Sequence, residues 1–311
     1  MRSRTGKIVR GYALIALATF IWSSAAILVK AVFTGRFLHI GPVDVVTISQ
    51  MRTTVSCAVL GAILLATRGP GGIRIPRRLM IQCLLLGAIA VAGSNYFYYY
   101  AITRTTVATA IMLQYLAPAY VLTYRLVRRE ERASAAAFAA IVCAFVGCSL
   151  TVGVGSVAHL RIDALGLAAA LVAGGFYAYY NIGGAHLAGH VENLLLMLYT
   201  TLGASLLWLL VNNPVNWVRA HYTWQQWVFV AVFSVLSMLV PYIFFFQALR
   251  VLDPTRAIVT SCLEPVFAVV LAAGLLGERL VWLQAVGVAL VLAATLFLEL
   301  RPRPALEAPV G

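Results

Sequence analysis

What most limits the fold of this chain is how seldom its apolar runs are interrupted. Stretches of roughly 20 apolar residues, the length that carries a helix across a hydrocarbon core, follow one another from YALIALATFIWSSAAILV onward with short loops between them. Of 311 residues, 62% are hydrophobic and 11% charged, against about 45–50% and about 25% in soluble domains. Mean hydropathy is +0.92. Ten transmembrane helices are predicted, at 12–33, 43–67, 78–101, 105–127, 133–153, 164–186, 192–212, 224–250, 254–276 and 281–299. No stretch is long enough to be a separate soluble domain. The hydrophobic part of the first run exceeds a signal-peptide core of about 7–15 residues, so it reads as a retained span. The tail 301–311 is predicted to be a disordered cytosolic extension.

The formal net charge of +13 does not mark a nucleic-acid binder, because the basic residues sit in short clusters between apolar runs. Arg2, Arg4, Lys7 and Arg10 precede the first span. Arg68, Arg74, Arg77 and Arg78, then Arg125, Arg128, Arg129 and Arg132, then Arg250 and Arg256, then Arg301 and Arg303 occupy alternate loops. The intervening loops carry only Arg36, Arg104, Arg161, Arg219 and Arg279. Excess Lys and Arg stays on the cytoplasmic side. Both termini are therefore expected in the cytoplasm, in a multi-pass protein of the cell's inner (plasma) membrane.

Several chemistries find no support. Cys57, Cys83, Cys143, Cys148 and Cys262 lie within apolar runs without zinc-ligand spacing, and read as small buried side chains. His186 and His190 are four apart but read as a solvated helix end. No Walker-type glycine loop, hydrolase triad or zinc-protease pattern is present, so no enzyme, cofactor or metal is expected.

Two spans carry a proline in mid-run, in LQYLAPAYVL and TSCLEPVFAV. Pro118 and Pro265 are 147 residues apart. At that offset Phe97, Ala101, Ala110, Ile111, Leu116, Glu131 and Arg132 meet identical residues at 244, 248, 257, 258, 263, 278 and 279. Thr106 and Asp253, both good helix N-caps, also align. Gly11 to Trp22 can be laid on Gly166 to Tyr177. The chain thus reads as an all-α integral membrane protein of ten transmembrane helices in two five-helix repeats, 1–153 and 154–300. Five is odd, so the second repeat enters the membrane inverted, as in many secondary transporters.

These features resemble the drug/metabolite transporter superfamily, specifically its EamA-type members. The resemblance is carried by LQYLAPAYVL with REER after it, CLEPVFAVVLAAGLLGERL, the YFYYYAI turn and the tryptophan of FIWSSAAILVK. It implies ten helices in two inverted repeats and a transport function, with export of amino acids or related metabolites as the task. It leaves the substrate unnamed, because its motifs recur among members that move different molecules.

Proline lacks an amide hydrogen and crowds the carbonyl four residues back. Pro118 frees the carbonyl of Gln114 and Pro265 that of Ser261. In hydrocarbon such groups need protein partners or a water-lined cavity. Glu264, beside the second break, must face the bundle interior, either as a proton carrier or in an ion pair with Arg52. Arg52 is too deep to reach water easily, and either balances Glu264 or receives a substrate carboxylate. Lys30 is expected to snorkel outward. Most of the aromatics, Tyr96 to Tyr100 among them, read as an interfacial belt. The expected substrate-binding set is Trp22, Ser23, Asn95, Tyr99, Gln114, Pro118, Tyr177, Asn181, Ser261, Glu264 and Pro265. The expected partners are a small-molecule metabolite, the lipid bilayer and protons, with no nucleic acid, in a monomer or homodimer. The alternative is a lipid-handling or non-transport membrane protein.

Overall fold

The computed structural model describes residues 2–35, 43–129, 163–248, 250–252, 260–261, 263–277 and 282–300, with isolated positions between 138 and 150. The predicted span at 133–153 and the start of that at 254–276 fall largely outside these residues. So do Asp253 and the pairs Glu131–Arg132 and Glu278–Arg279.

Among the described residues, seven helices are long and apolar enough to cross a membrane. They belong to α1 (Arg2–Phe33), α2 (Val45–Arg68), α3 (Arg77–Arg104), α4 (Val107–Val127), α5 (Ala164–Ala188), α6 (Asn193–Val211) and α7 (Trp224–Ala248). Two further helices, α8 (Leu263–Leu276) and α9 (Trp282–Leu300), complete the described part, and their apolar stretches are shorter. The chain is all-helical and multi-pass where it is described.

Several helix starts follow from a side-chain cap just before an apolar run. Asp44 accepts the Thr47 amide at 2.8 Å, Thr106 the Thr109 amide at 3.1 Å and Asp163 the Gly166 amide at 3.0 Å. Thr223 and Gln226 form a reciprocal capping box on α7. Each cap satisfies a backbone donor that has no partner inside its helix. The cap expected at Thr106 is there.

Close helix crossings depend on glycine. A Cβ on Gly87 of α3 would lie 1.8 Å from the Thr200 carbonyl oxygen, and one on Gly203 of α6 would lie 2.0 Å from that of Leu84. The two helices therefore meet backbone to backbone, as small residues permit in membranes.

A second pair of crossings repeats at the offset found in the sequence. Gly11 of α1 packs on Val251 and Leu252, with a Cβ 2.8 and 2.7 Å from their side chains. Gly166 of α5 packs on Arg104 and Thr105, at 2.6 and 2.8 Å. Val251 and Leu252 stand 147 residues after Arg104 and Thr105. Likewise α3 carries a π-turn at Gly87–Val91 and α7 one at Val235–Leu239, 148 residues on. α1 thus lies against the end of α7, and α5 against the end of α3.

The half-buried Lys30 ammonium reaches the end of α3, where it donates to the carbonyls of Ile102 and Thr105, at 2.5 and 2.7 Å. The last carbonyls of a helix are unpaired and carry partial negative charge, which a cation offsets.

At the same end, Asp163 joins α5 to α3. It accepts the Gly166 amide and pairs with Arg104 at 3.0 Å. The amide, then the guanidinium, hold its carboxyl below the usual carboxylate range. A lowered folded-state pKa means the contribution is present above the unfolded value of about 3.9 and is lost as pH falls through the lower folded value. Asp163→Asn is expected to keep the cap and to flatten the fall of the melting temperature between about pH 5 and pH 2. A melting series in detergent checks this.

Candidate functional site

Eight helices, α1 to α8, line one cavity within the bundle, α8 by Glu264 near its described start. The space within which a water centre can move is about 130 Å³. At roughly 10–15 Å³ per water on that measure, it holds a small metabolite or a cluster of about ten waters.

The breaks build much of its wall. In α4 the regular ladder fails just after Tyr115, where the Leu116 amide reaches back only to Leu113, at 3.3 Å. Pro118 is the second residue of the half-helix that resumes at Ala117. The interruption turns Tyr115 toward α8. Its hydroxyl donates to the Ser261 carbonyl at 3.1 Å and touches Glu264 Oε2 at 3.2 Å. The carbonyl that Pro265 displaces from its helical partner thus meets a hydroxyl from the other break. Ser23 of α1 donates to the Glu264 carbonyl at 2.7 Å.

A third proline works the same way. Pro241 in α7 leaves the Ser237 carbonyl without its helical donor, and Arg52 of α2 donates to it at 2.9 Å. Ser56, one turn along α2, donates to the Ser234 carbonyl at 3.0 Å. Arg52 also donates to Asn95 Oδ1 at 2.9 Å and its guanidinium lies 5.4 Å from the centre of the Tyr99 ring. The ion pairs among the described residues are Arg68–Glu192 and Arg104–Asp163. The direct pair of Arg52 with Glu264 is not one of them: Arg52 takes neutral acceptors, and the two charges face one cavity. Arg52 Nε and Asn95 Nδ2 are buried and have no hydrogen-bond partner among the described residues. Leaving such a donor unpaired costs about 1–3 kcal/mol.

Of the residues singled out in the sequence, Trp22, Arg52, Asn95, Tyr99, Gln114, Tyr177 and Glu264 line the cavity. Ser23, Ser261 and Pro265 stand behind its wall and shape it through the contacts above. Pro118 stands at the start of the half-helix that follows the interruption of α4. Asn181 is turned away: it is exposed and donates to the Tyr177 carbonyl of its own helix at 2.7 Å. His190 bonds the His186 carbonyl at 3.1 Å on the exposed end of α5.

Sequence reasoning missed Tyr115, Tyr98, Tyr180, Tyr242, Ser237 and the Thr200–Thr201 pair, all on the lining. Pro241 was a legible signal for Ser237, by the same rule that selected Ser261. The aromatic run is not a belt throughout. Tyr98 and Tyr99 are buried, and Tyr96, Phe97 and Tyr100 pack half-buried on other helices. Phe97 stacks on Phe176 of α5 at 5.9 Å, and Trp22 meets Tyr242 edge-on at 5.3 Å. In a bundle whose neighbours are also apolar, ring packing competes with the interface for these side chains.

Tyr115→Phe tests the bridge between the breaks. It removes one donor from Glu264 and from the Ser261 carbonyl while keeping the ring. A loss of about 1–3 kcal/mol is expected, read as a lower melting temperature of the purified protein.

Spanning helices packed around an internal polar cavity define a multi-pass membrane protein of the solute-handling class. Residues 9–153 and 164–300 each match the EamA-like transporter family. The chain belongs to that family, and so to the small-molecule transporters. It is 26% identical over 249 residues to the threonine/homoserine exporter RhtA of Escherichia coli (strain K12), covering 78% of this chain and 79% of that one. It is 25% identical over 218 residues to the uncharacterized transporter YxxF of Bacillus subtilis (strain 168), covering 70% and 69%. A crystal structure with 19% sequence identity has the same fold over 96% of this chain and 98% of its own, with a TM-score of 0.57.

Proposed function

We propose that this protein is a secondary active transporter that exports small metabolites, amino acids among them, by alternating access around the cavity. In this reading 1–153 and 154–300 are two inverted five-helix repeats, both termini lie in the cytoplasm, and the membrane is the inner one. The observation that carries it is the cavity itself: the interruption of α4, the carbonyls displaced by Pro241 and Pro265, one cation and one carboxylate meet around it. Transporters with inverted repeats place their substrate at such discontinuous helices. The crossings at Gly11 and Gly166 support the repeat relation. The two family matches fall on the two proposed halves. An exporter of threonine and homoserine among the relatives supports the substrate class. Proton coupling through Glu264 belongs to the same proposal.

The test is efflux from liposomes loaded with amino acids, nucleosides and small organic acids under an imposed pH gradient. Each species is followed by mass spectrometry against empty liposomes. Selective loss of amino acids is expected. Retention of every species by correctly inserted protein would overturn the transport reading and favour a lipid ligand.

A further inference from the structure

The two charges of the cavity are held apart by their hydrogen bonds. Arg52 is anchored by the Asn95 amide oxygen and the Ser237 carbonyl, which are neutral acceptors, and so keeps its whole positive charge. The Asn95 orientation is not arbitrary: Arg52 has only donors to offer, so Oδ1 faces it and Nδ2 is left as a donor. Arg52 Nε and Asn95 Nδ2 are thus two neighbouring buried N–H groups, on α2 and α3, with no acceptor among the described residues. Both side chains line the cavity. Neighbouring N–H donors beside a guanidinium make a receptor for the two oxygens of a carboxylate.

Glu264 forms the other pole. It lines the same cavity as Tyr98, Tyr177 and Tyr242, which lie within electrostatic reach of it, Tyr98 and Tyr242 within reach of Arg52 as well. A carboxylate among aromatic rings receives an ammonium group, by charge and through the ring faces. A site with one pole of each sign excludes ligands that bring a single charge, because the other pole is then buried without a counter-charge.

We infer that the cavity is a two-pole site for a small zwitterion, with Arg52 and Asn95 receiving its carboxylate and Glu264 its ammonium. This deepens the transport reading and rests on it. It assigns which residues select the substrate class.

The experiment uses the full chain in liposomes loaded with three matched sets: the L-amino acids, their carboxamides and their 2-hydroxy acids. Each analogue removes one charge. Wild type is expected to release at least one amino acid tenfold faster than both of its analogues. Arg52→Gln is expected to lose the preference over the carboxamide at least tenfold and to keep that over the hydroxy acid. Glu264→Gln is expected to show the reverse. Asn95→Asp sets a fixed carboxylate beside Arg52, keeps the hydrogen bond that anchors it, and should suppress amino-acid release at least tenfold in folded protein. It decides the matter if Arg52→Gln does not fold. Equal release of amino acids and single-charge analogues by wild type would overturn the two-pole site and leave transport standing. So would an undiminished preference over the carboxamide in Arg52→Gln, or unchanged release in Asn95→Asp. Release of nothing at all would overturn the transport reading, and the two-pole site with it.

Discussion

Glu264→Gln is expected to cut efflux driven by a pH gradient at least tenfold while leaving the protein folded. Glutamine keeps the size of the side chain and an oxygen to accept from the Tyr115 hydroxyl, which now sits at 3.2 Å from Oε2. The Ser23 hydroxyl bonds the backbone carbonyl of residue 264, so the substitution does not touch it. What disappears is the charge. A charged side chain at mid-membrane costs about 2.5–3.5 kcal/mol on insertion scales, so its removal is expected to hold or raise the melting temperature. Stability and activity then move in opposite directions, which separates a working carboxylate from a structural one. Efflux of the same rate and the same pH profile in the variant, measured from pH 5 to pH 8, would sink proton coupling through this residue.

Gly87→Ala is expected to have the largest effect on the fold. The added Cβ would lie 1.8 Å from the Thr200 oxygen and 2.5 Å from its carbonyl carbon. These are backbone atoms inside α6, and they cannot turn aside as a side chain would. Relief requires α3 and α6 to separate, which also strips Leu84 from Gly203 on the reciprocal contact. Thr200 and Thr201 line the cavity, so its shape would go as well. A loss above about 4 kcal/mol is expected, the range reserved for such clashes. It would be read as a failure to recover monodisperse protein, or as a steep fall in melting temperature. Gly175→Ala, on α5 where nothing lies within 4 Å of the new Cβ, is the control. Helix propensity alone should make it neutral or stabilising by up to about 1 kcal/mol. Equal behaviour of the two variants would show that α3 and α6 do not cross as described.

The lipid solvent, most helix positions and the interruption of α4 were legible in the sequence alone. Run length and hydropathy are local quantities, and a backbone in lipid has few ways other than helix to satisfy its own polar groups. That is why α2 to α7 begin and end close to where the apolar runs do, while α1 starts at Arg2, well before its run, and why Thr106 caps α4 as expected. The proline rule is equally local. Pro118 marked the interruption of α4, and Pro265, like Pro241, marked a displaced carbonyl. Which group answers each freed carbonyl was settled by the packing of the helices. Tyr115 reaches the Ser261 carbonyl and Arg52 the Ser237 carbonyl because helices far apart in sequence cross at those depths. Lys30 capping α3, Asn181 facing outward and Arg52 choosing neutral acceptors over Glu264 were settled in the same way. A side chain's partner depends on the rotation and crossing of whole helices. Hydropathy does not encode that rotation when apolar residues surround a helix on every side.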